Sequence, residues 1–193
     1  EARPTAVELL NKPAAESLGG GSADWVLVVG FEDNAASVAW QLEKFRSEHA
    51  GHAVEILDES ASNAAWGSLV EFPATAPGTL AFEVHVPPST TAAFAAEVDP
   101  GRWLLQAHAG NGIVRGFLRG EADLEQAAGL IEPLRRKADG LKGSLILPRC
   151  PAAWKTRLLV WGTPRAEWAW CEKLKKTLDP AGAFNPGRFV GGI

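Results

Sequence analysis

The chain has 193 residues, of which 46% are hydrophobic and 22% charged, and a formal net charge of −4. That is the profile of a globular domain with enough chain for a sizeable core. The acidic balance gives no global pull toward nucleic acid or an anionic membrane, and no apolar run reaches the ~18 residues that cross a bilayer.

Residues 5–10 read as a strand, followed by a turn at Gly19-Gly20-Gly21-Ser22. WVLVVGF, residues 25–31, is a near-continuous apolar run that predicts a strand buried on both faces. Asp33 and Asn34 are caps for a helix over 35–49, with Val38, Leu42 and Phe45 on one face. A short strand is predicted at 54–57 and a helix over 60–70 capped by Ser60, closed by Pro73 and Pro77. TLAFEVHV, residues 79–86, alternates as a strand, and a helix capped by Ser89 or Thr90 runs to about residue 98. Residues 102–108 and 112–119 predict a hairpin, residues 122–138 the longest helix, 144–147 a strand, and 164–178 a last helix with Pro164 in its first turn. The order β-β-α-β-α, then β-α-β-β-α-β, predicts an α+β fold. Its two ferredoxin-like units would share one large, mainly antiparallel sheet with helices on one face.

The motifs with chemical content are few. HAGNG, residues 108–112, lets the backbone approach a ligand and puts His108 at a sheet edge, and it also reads as a plain hairpin turn beside a partly buried histidine. VRGFLRG, residues 114–120, lacks the alternating aromatics of an RNA-binding sheet, so no nucleic acid is expected. His49 and His52 sit near a helix end, and none of the four histidines has a metal-ligand spacing. Cys150 and Cys171 make neither a disulfide framework nor a metal spacing, which favours a reducing, cytoplasmic setting. Trp168 and Trp170 cannot share a helix face, so one of them should face outward. The start lacks a signal-peptide pattern. Methionine is absent even from position 1, so the chain is expected to be a piece of a longer parent.

LVWGTPRAEWAWCEKLKKTLDPAGAFNPGRFVGGI, residues 159–193, resembles the end of FAD-linked oxidases of the vanillyl-alcohol oxidase superfamily, with their DP-x-G-x-x-NPG signature. Its form, with ARPTAVELLN at 2–11 and QAHAGNGIVRG at 106–116, is most similar to FAD-binding subunits of bacterial glycolate oxidases. The resemblance implies a ferredoxin-like cap domain over residues 1–178 and a tail, 179–193, reaching toward an N-terminal FAD domain outside this chain. It implies FAD as cofactor of the parent, with Asn185 and Arg188 near the flavin, and oxidation of a 2-hydroxy acid such as glycolate by hydride transfer. Implied partners are the parent's FAD domain, other glycolate oxidase subunits including an iron-sulfur subunit, and the small 2-hydroxy acid. Those subunits would also hold the protein peripherally at the inner membrane.

On the substrate side the resemblance points to His108, Asn111, Arg115 and Arg149. Metal-dependent 2-hydroxy-acid dehydrogenases of this superfamily carry H-x-G-D-G-N-x-H and a later E-H pair. Here His108 is retained, Asn111 stands for the aspartate, Ile113 for the asparagine and Arg115 for the second histidine, while the E-H pair falls at Pro148-Arg149. A site that trades a histidine and a carboxylate for guanidinium groups is expected to hold no metal. The alternative is a stand-alone ferredoxin-like module that binds a small molecule or another subunit without catalysis. FAD is not expected on the isolated chain: the purified 193-residue protein should show no flavin absorbance at about 450 nm.

Overall fold

A computed structural model of the chain describes residues 2–193. Strand β1 (Ala6–Asn11) leads into a short helix α1 (Lys12–Ser17), and β2 (Trp25–Gly30) returns antiparallel to β1. Asn11 ends the strand and starts the helix. Its side chain caps Ala14 N, accepts from Leu105 N at 2.9 Å and donates to Trp103 O at 2.8 Å, pinning this corner to the neighbouring strand. Helices α2 (Ala35–Glu48) and α3 (Glu59–Thr75) follow, capped by Asn34 and Asp58. Then come β3 (Ala81–His85), α4 (Thr91–Ala96), the hairpin β4 (Trp103–His108) and β5 (Ile113–Leu118), α5 (Leu124–Gly140), β6 (Ser144–Arg149) and α6 (Trp168–Leu178).

The six strands form one antiparallel sheet in the order β2-β1-β4-β5-β3-β6. The α+β class and the mainly antiparallel sheet agree with the sequence. The segment from β3 to β6 is a complete β-α-β-β-α-β unit with the ferredoxin-like strand order, and β1 and β2 extend it past β4.

The first half departs from expectation in several places. Residues 54–57 form no strand; Ile56 and Leu57 are exposed, and among the described residues none pairs with their backbone. β2 is the sheet's outer strand, not a strand covered on both faces, and Trp25 and Leu27 lie exposed on it. α3 is capped by Asp58, not Ser60, and runs through Pro73. α6 begins at Trp168, four residues after Pro164.

Helices also cover both faces of the sheet, not one. Side chains alternate along each strand. Phe82, Val84, Trp103, Leu105, Val114 and Leu118 therefore point to one face, under Phe94 of α4 and Ala127 and Ile131 of α5. Leu10, Leu104, Phe117 and Ala81 point to the other, where Ala14 and Ala15 of α1 and Leu69 and Phe72 of α3 pack on them. Phe72 meets Phe117 edge-on, with ring centroids 5.2 Å apart. This second apolar layer covers only part of its face, because the strand residues beyond it are polar.

Gly112 sets the β4–β5 turn. Its φ is 74°, its carbonyl accepts from Val86 N at 2.8 Å, and a Cβ there would stand 1.9 Å from the Val86 carbonyl oxygen. Gly112→Ala should therefore cost about 2 kcal/mol or more, read as a lower midpoint in thermal or urea unfolding.

Candidate functional site

Strand register places a set of polar side chains in two adjacent rows on the second face of the sheet. Glu8 of β1 lies opposite His108 of β4; His108 and His85 of β3 both lie opposite Ile113 of β5. In the next row Gln106 of β4 lies opposite Arg115 of β5, and Arg115 opposite Glu83 of β3. Same-face rows are about 7 Å apart along a strand, so long side chains from both rows meet.

They meet as one continuous relay. Gln106 Nε2 donates to Glu8 Oε2 at 3.3 Å, and His108 Nδ1 donates to Glu8 Oε1. Arg115 Nη1 donates to His108 Nε2 at 2.8 Å, and Arg115 Nε donates to Glu83 Oε2 at 2.7 Å. His85 Nε2 closes the line on Glu83 Oε1 at 2.9 Å. A guanidinium can only donate, so Nε2 of His108 is the acceptor in its contact with Arg115 and Nδ1 is the nitrogen that faces Glu8.

Burial grades along the relay. Glu8 is 4% and Gln106 1% exposed, His108, Arg115 and Glu83 are half-buried, and His85 is open to solvent. Burial alone would raise the Glu83 carboxyl, but the hydrogen bonds and charges of Arg115 and His85 more than offset it, holding Glu83 below the usual range.

The buried end is anchored by a proline. Pro73 has no N–H, so the carbonyl of Leu69, four residues earlier in α3, loses its helical donor. Gln106 Nε2 supplies one instead, at 3.0 Å. The Gln106 Oε1 atom is buried and has no partner among the described residues.

The four substrate-side candidates separate. His108 and Arg115 are joined in the relay. Asn111 is exposed in the β4–β5 turn, where its backbone N–H donates to His108 O at 3.0 Å. Arg149 lies one row further along, beside Phe117. Its guanidinium donates to Ala76 O at 2.8 Å, Gly78 O at 3.2 Å and Pro73 O, tying the end of α3 to β6. Glu8, Gln106 and Glu83 were not picked out from sequence. A signal for two of them exists: a lone carboxylate inside the apolar strands AVELLN and AFEVH.

The C-terminal segment is a loop held at both ends. Asp179 caps it: its carboxylate accepts from Ala183 N at 2.8 Å, Phe184 N at 3.0 Å and Lys175 Nζ at 2.6 Å. At the far end Val190 is buried and Phe189 packs edge-on against Trp161, centroids 5.4 Å apart. Between them Gly182, Asn185 and Gly187 turn the chain with φ of 62°, 44° and 70°, a region that asparagine tolerates better than most residues. The Asn185 and Arg188 side chains are exposed and make no hydrogen bond or ion pair among the described residues. Beside this loop, Trp170, Leu174 and Leu178 form an exposed stripe on α6, at four-residue spacing. Trp170, 67% exposed, is the outward one of the tryptophan pair, while Trp168 is half-buried.

Residues 157–189, which include α6 and most of this loop, match the family model described as FAD linked oxidases, C-terminal domain. No curated protein matches the chain. The matched segment thus holds the exposed donors and the apolar stripe, while the relay lies outside it. No helix among the described residues is long and apolar enough to cross a membrane.

Asp179 gives the loop a pH dependence. The ammonium of Lys175, helped by the Phe184 and Ala183 amides, lowers its carboxyl from 3.8 to about 2. A folded-state value below the ordinary one stabilises the loop above about pH 4, and that contribution is lost as pH falls toward about 2. Hydrogen exchange at the Ala183 and Phe184 amides should accelerate over that interval, and Asp179→Asn should show fast exchange already at pH 7.

Proposed function

We propose that this chain is the substrate-side and C-terminal portion of a flavin-dependent oxidoreductase that oxidises a 2-hydroxy acid such as glycolate. The observation that carries it is the family match over α6 and the loop, together with what that segment exposes. Asn185 and Arg188 offer an amide and a guanidinium on a loop held at both ends, donors suited to the carbonyl or phosphate oxygens of a flavin nucleotide. The Trp170–Leu174–Leu178 stripe is an apolar face for the FAD domain of the same parent. These residues fit one edge of FAD, and the glycine-rich cradle for its pyrophosphate would come from that domain. When bound, FAD supplies the acceptor for the hydride. This chain's part is to bind the carboxylate, take the hydroxyl proton and keep water out.

On this reading residues 1–178 act as the cap and 179–193 as the segment that meets the flavin. The iron-sulfur and other glycolate oxidase subunits would take the electrons onward and hold the assembly at the membrane surface. The other reading, a stand-alone binding module, draws on the closed end of the loop at Val190 and Trp161. The exposed α6 stripe favours the first.

The test uses the full-length parent. It should purify with bound flavin that bleaches when glycolate is added anaerobically. Arg188→Ala should weaken flavin retention by about tenfold or more, the size of one lost charge-assisted hydrogen bond. A parent without flavin, or with flavin insensitive to 2-hydroxy acids, overturns the proposal.

A further inference from the structure

Resting on that proposed function, we infer that Arg115 is the residue that grips the carboxylate of the 2-hydroxy acid, and that the glutamates beside it confine the site to ligands with a single negative charge.

Arg115 is fitted for this by what the relay leaves unused. Glu83 takes its Nε–H, and His108 Nε2 takes one N–H of Nη1. The second N–H of Nη1 and both of Nη2 have no acceptor among the described residues. A carboxylate prefers two parallel N–H donors, and the two terminal nitrogens can supply them while both protein contacts stay in place. The guanidinium is half-buried, so it is open to a small ligand yet partly screened from water.

The fork is also held before anything binds. Register fixes Gln106 on one side of Arg115 and Glu83 on the other, and the guanidinium is fastened at two of its three nitrogens. His108 is steadied in turn by Glu8, and Glu8 by Gln106. Little side-chain freedom is left to lose on binding, which matters most for a ligand with few atoms. Arg115 is the binding residue in this arrangement, and Glu83 and His108 are its positioning residues. Arg149, one row along, has Nη1 on two carbonyls and Nη2 on a third, so it presents no equivalent fork.

Charge decides what the fork accepts. The groups around Arg115 are Glu83 and, beyond it, His85 from β3, Gln106 and His108 from β4, and Glu8 from β1 beyond His108. Two carboxylates thus flank one guanidinium. The first carboxylate of a ligand touches the guanidinium, and attraction at contact outweighs repulsion from glutamates on its far sides. A second carboxylate on the same small ligand finds no free cation and meets only that repulsion. The site therefore suits glycolate or lactate and rejects their dicarboxylate analogues.

The experiment is a ligand titration of the ¹⁵N-labelled 193-residue chain, followed through the Arg115 Nε–H and the backbone amides of β4 and β5. Glycolate should shift these resonances saturably, and glycolamide, which lacks the carboxylate, should leave them in place. Tartronate, which is glycolate with a second carboxylate on the same carbon, should bind about tenfold more weakly or worse. Glu83→Gln should narrow that gap. Arg115→Gln should weaken glycolate binding by about tenfold or more. Should that variant fail to fold, Arg115→Lys carries the test: it keeps the charge but loses the fork, and it too should bind glycolate more weakly.

Arg115 resonances indifferent to glycolate overturn the inference, as does an equal response to chloride. Tartronate binding as tightly as glycolate overturns the charge selection. These readouts are independent of the flavin. In the flavin-loaded parent, Arg115→Gln should raise KM for glycolate and leave flavin retention unchanged. A parent without FAD would sink the proposed function while glycolate binding at Arg115 still stood, and a flavin-loaded parent whose KM ignores Arg115→Gln would sink the inference alone.

Discussion

A buried carboxylate is the constraint around which this molecule is arranged. Glu8 lies under the sheet's second face, almost wholly out of water, where an unpaired charge would cost several kcal/mol. It is satisfied by His108 and Gln106 from β4, so the pairing of β1 with β4 is specified by chemistry as well as by backbone register. The same need reaches α3. Gln106 divides its amide between Glu8 and the carbonyl that Pro73 leaves free, so a proline inside a helix fixes how that helix sits over the sheet. Arg149 secures the C-terminal end of the same helix, one turn further on, from β6. One helix is thus tied by polar contacts to strands far apart in the sheet.

The two faces of the sheet show how a site arises from alternation. On the face under α4 and α5, β3, β4, β5 and β6 contribute buried apolar side chains and Leu9 of β1 packs against them. On the opposite face the row containing Leu104 and Phe117 closes under α3, while the next two rows carry Glu8, Gln106, His108, Arg115, Glu83 and His85. Alternation with period two makes this segregation possible without disturbing the core behind it. A charged group on such a surface keeps its orientation because its partners are set by strand register, which cannot slip without turning the whole apolar layer outward.

Much of the second half was legible in the sequence, because its elements obey strong local rules. TLAFEVHV alternates cleanly, HAGNG marks a tight hairpin, and the long helix begins at Asp123 with a capping box to Gln126. The first half was harder to read. WVLVVGF reads as a central strand by hydrophobicity, yet edge or centre depends on which strands arrive on either side, and this is decided by contacts distant in sequence. The short run at 54–57 has strand composition but finds no partner strand among the described residues. Of the candidate site, His108 and Arg115 were visible through the hairpin and the family resemblance. Their partners were not, because Glu8 lies one hundred positions from His108 in sequence, and only the register of β1 against β4 brings them together. Arg149 shows the converse. As an arginine at a strand end it reads as a ligand for an anion, and in the fold three of its N–H groups also hold the carbonyls of Pro73, Ala76 and Gly78 at the end of α3 and just beyond it.

The C-terminal loop is fastened by Asp179 at one end and by Phe189 and Val190 at the other. A segment clamped at both ends samples few shapes, so meeting a partner there requires little further ordering, and recognition can proceed as a rigid encounter. Its reach is correspondingly short. Whatever touches Asn185 and Arg188 has to come to within a side-chain length of α6, and small changes in how that helix is seated would change contact and release together.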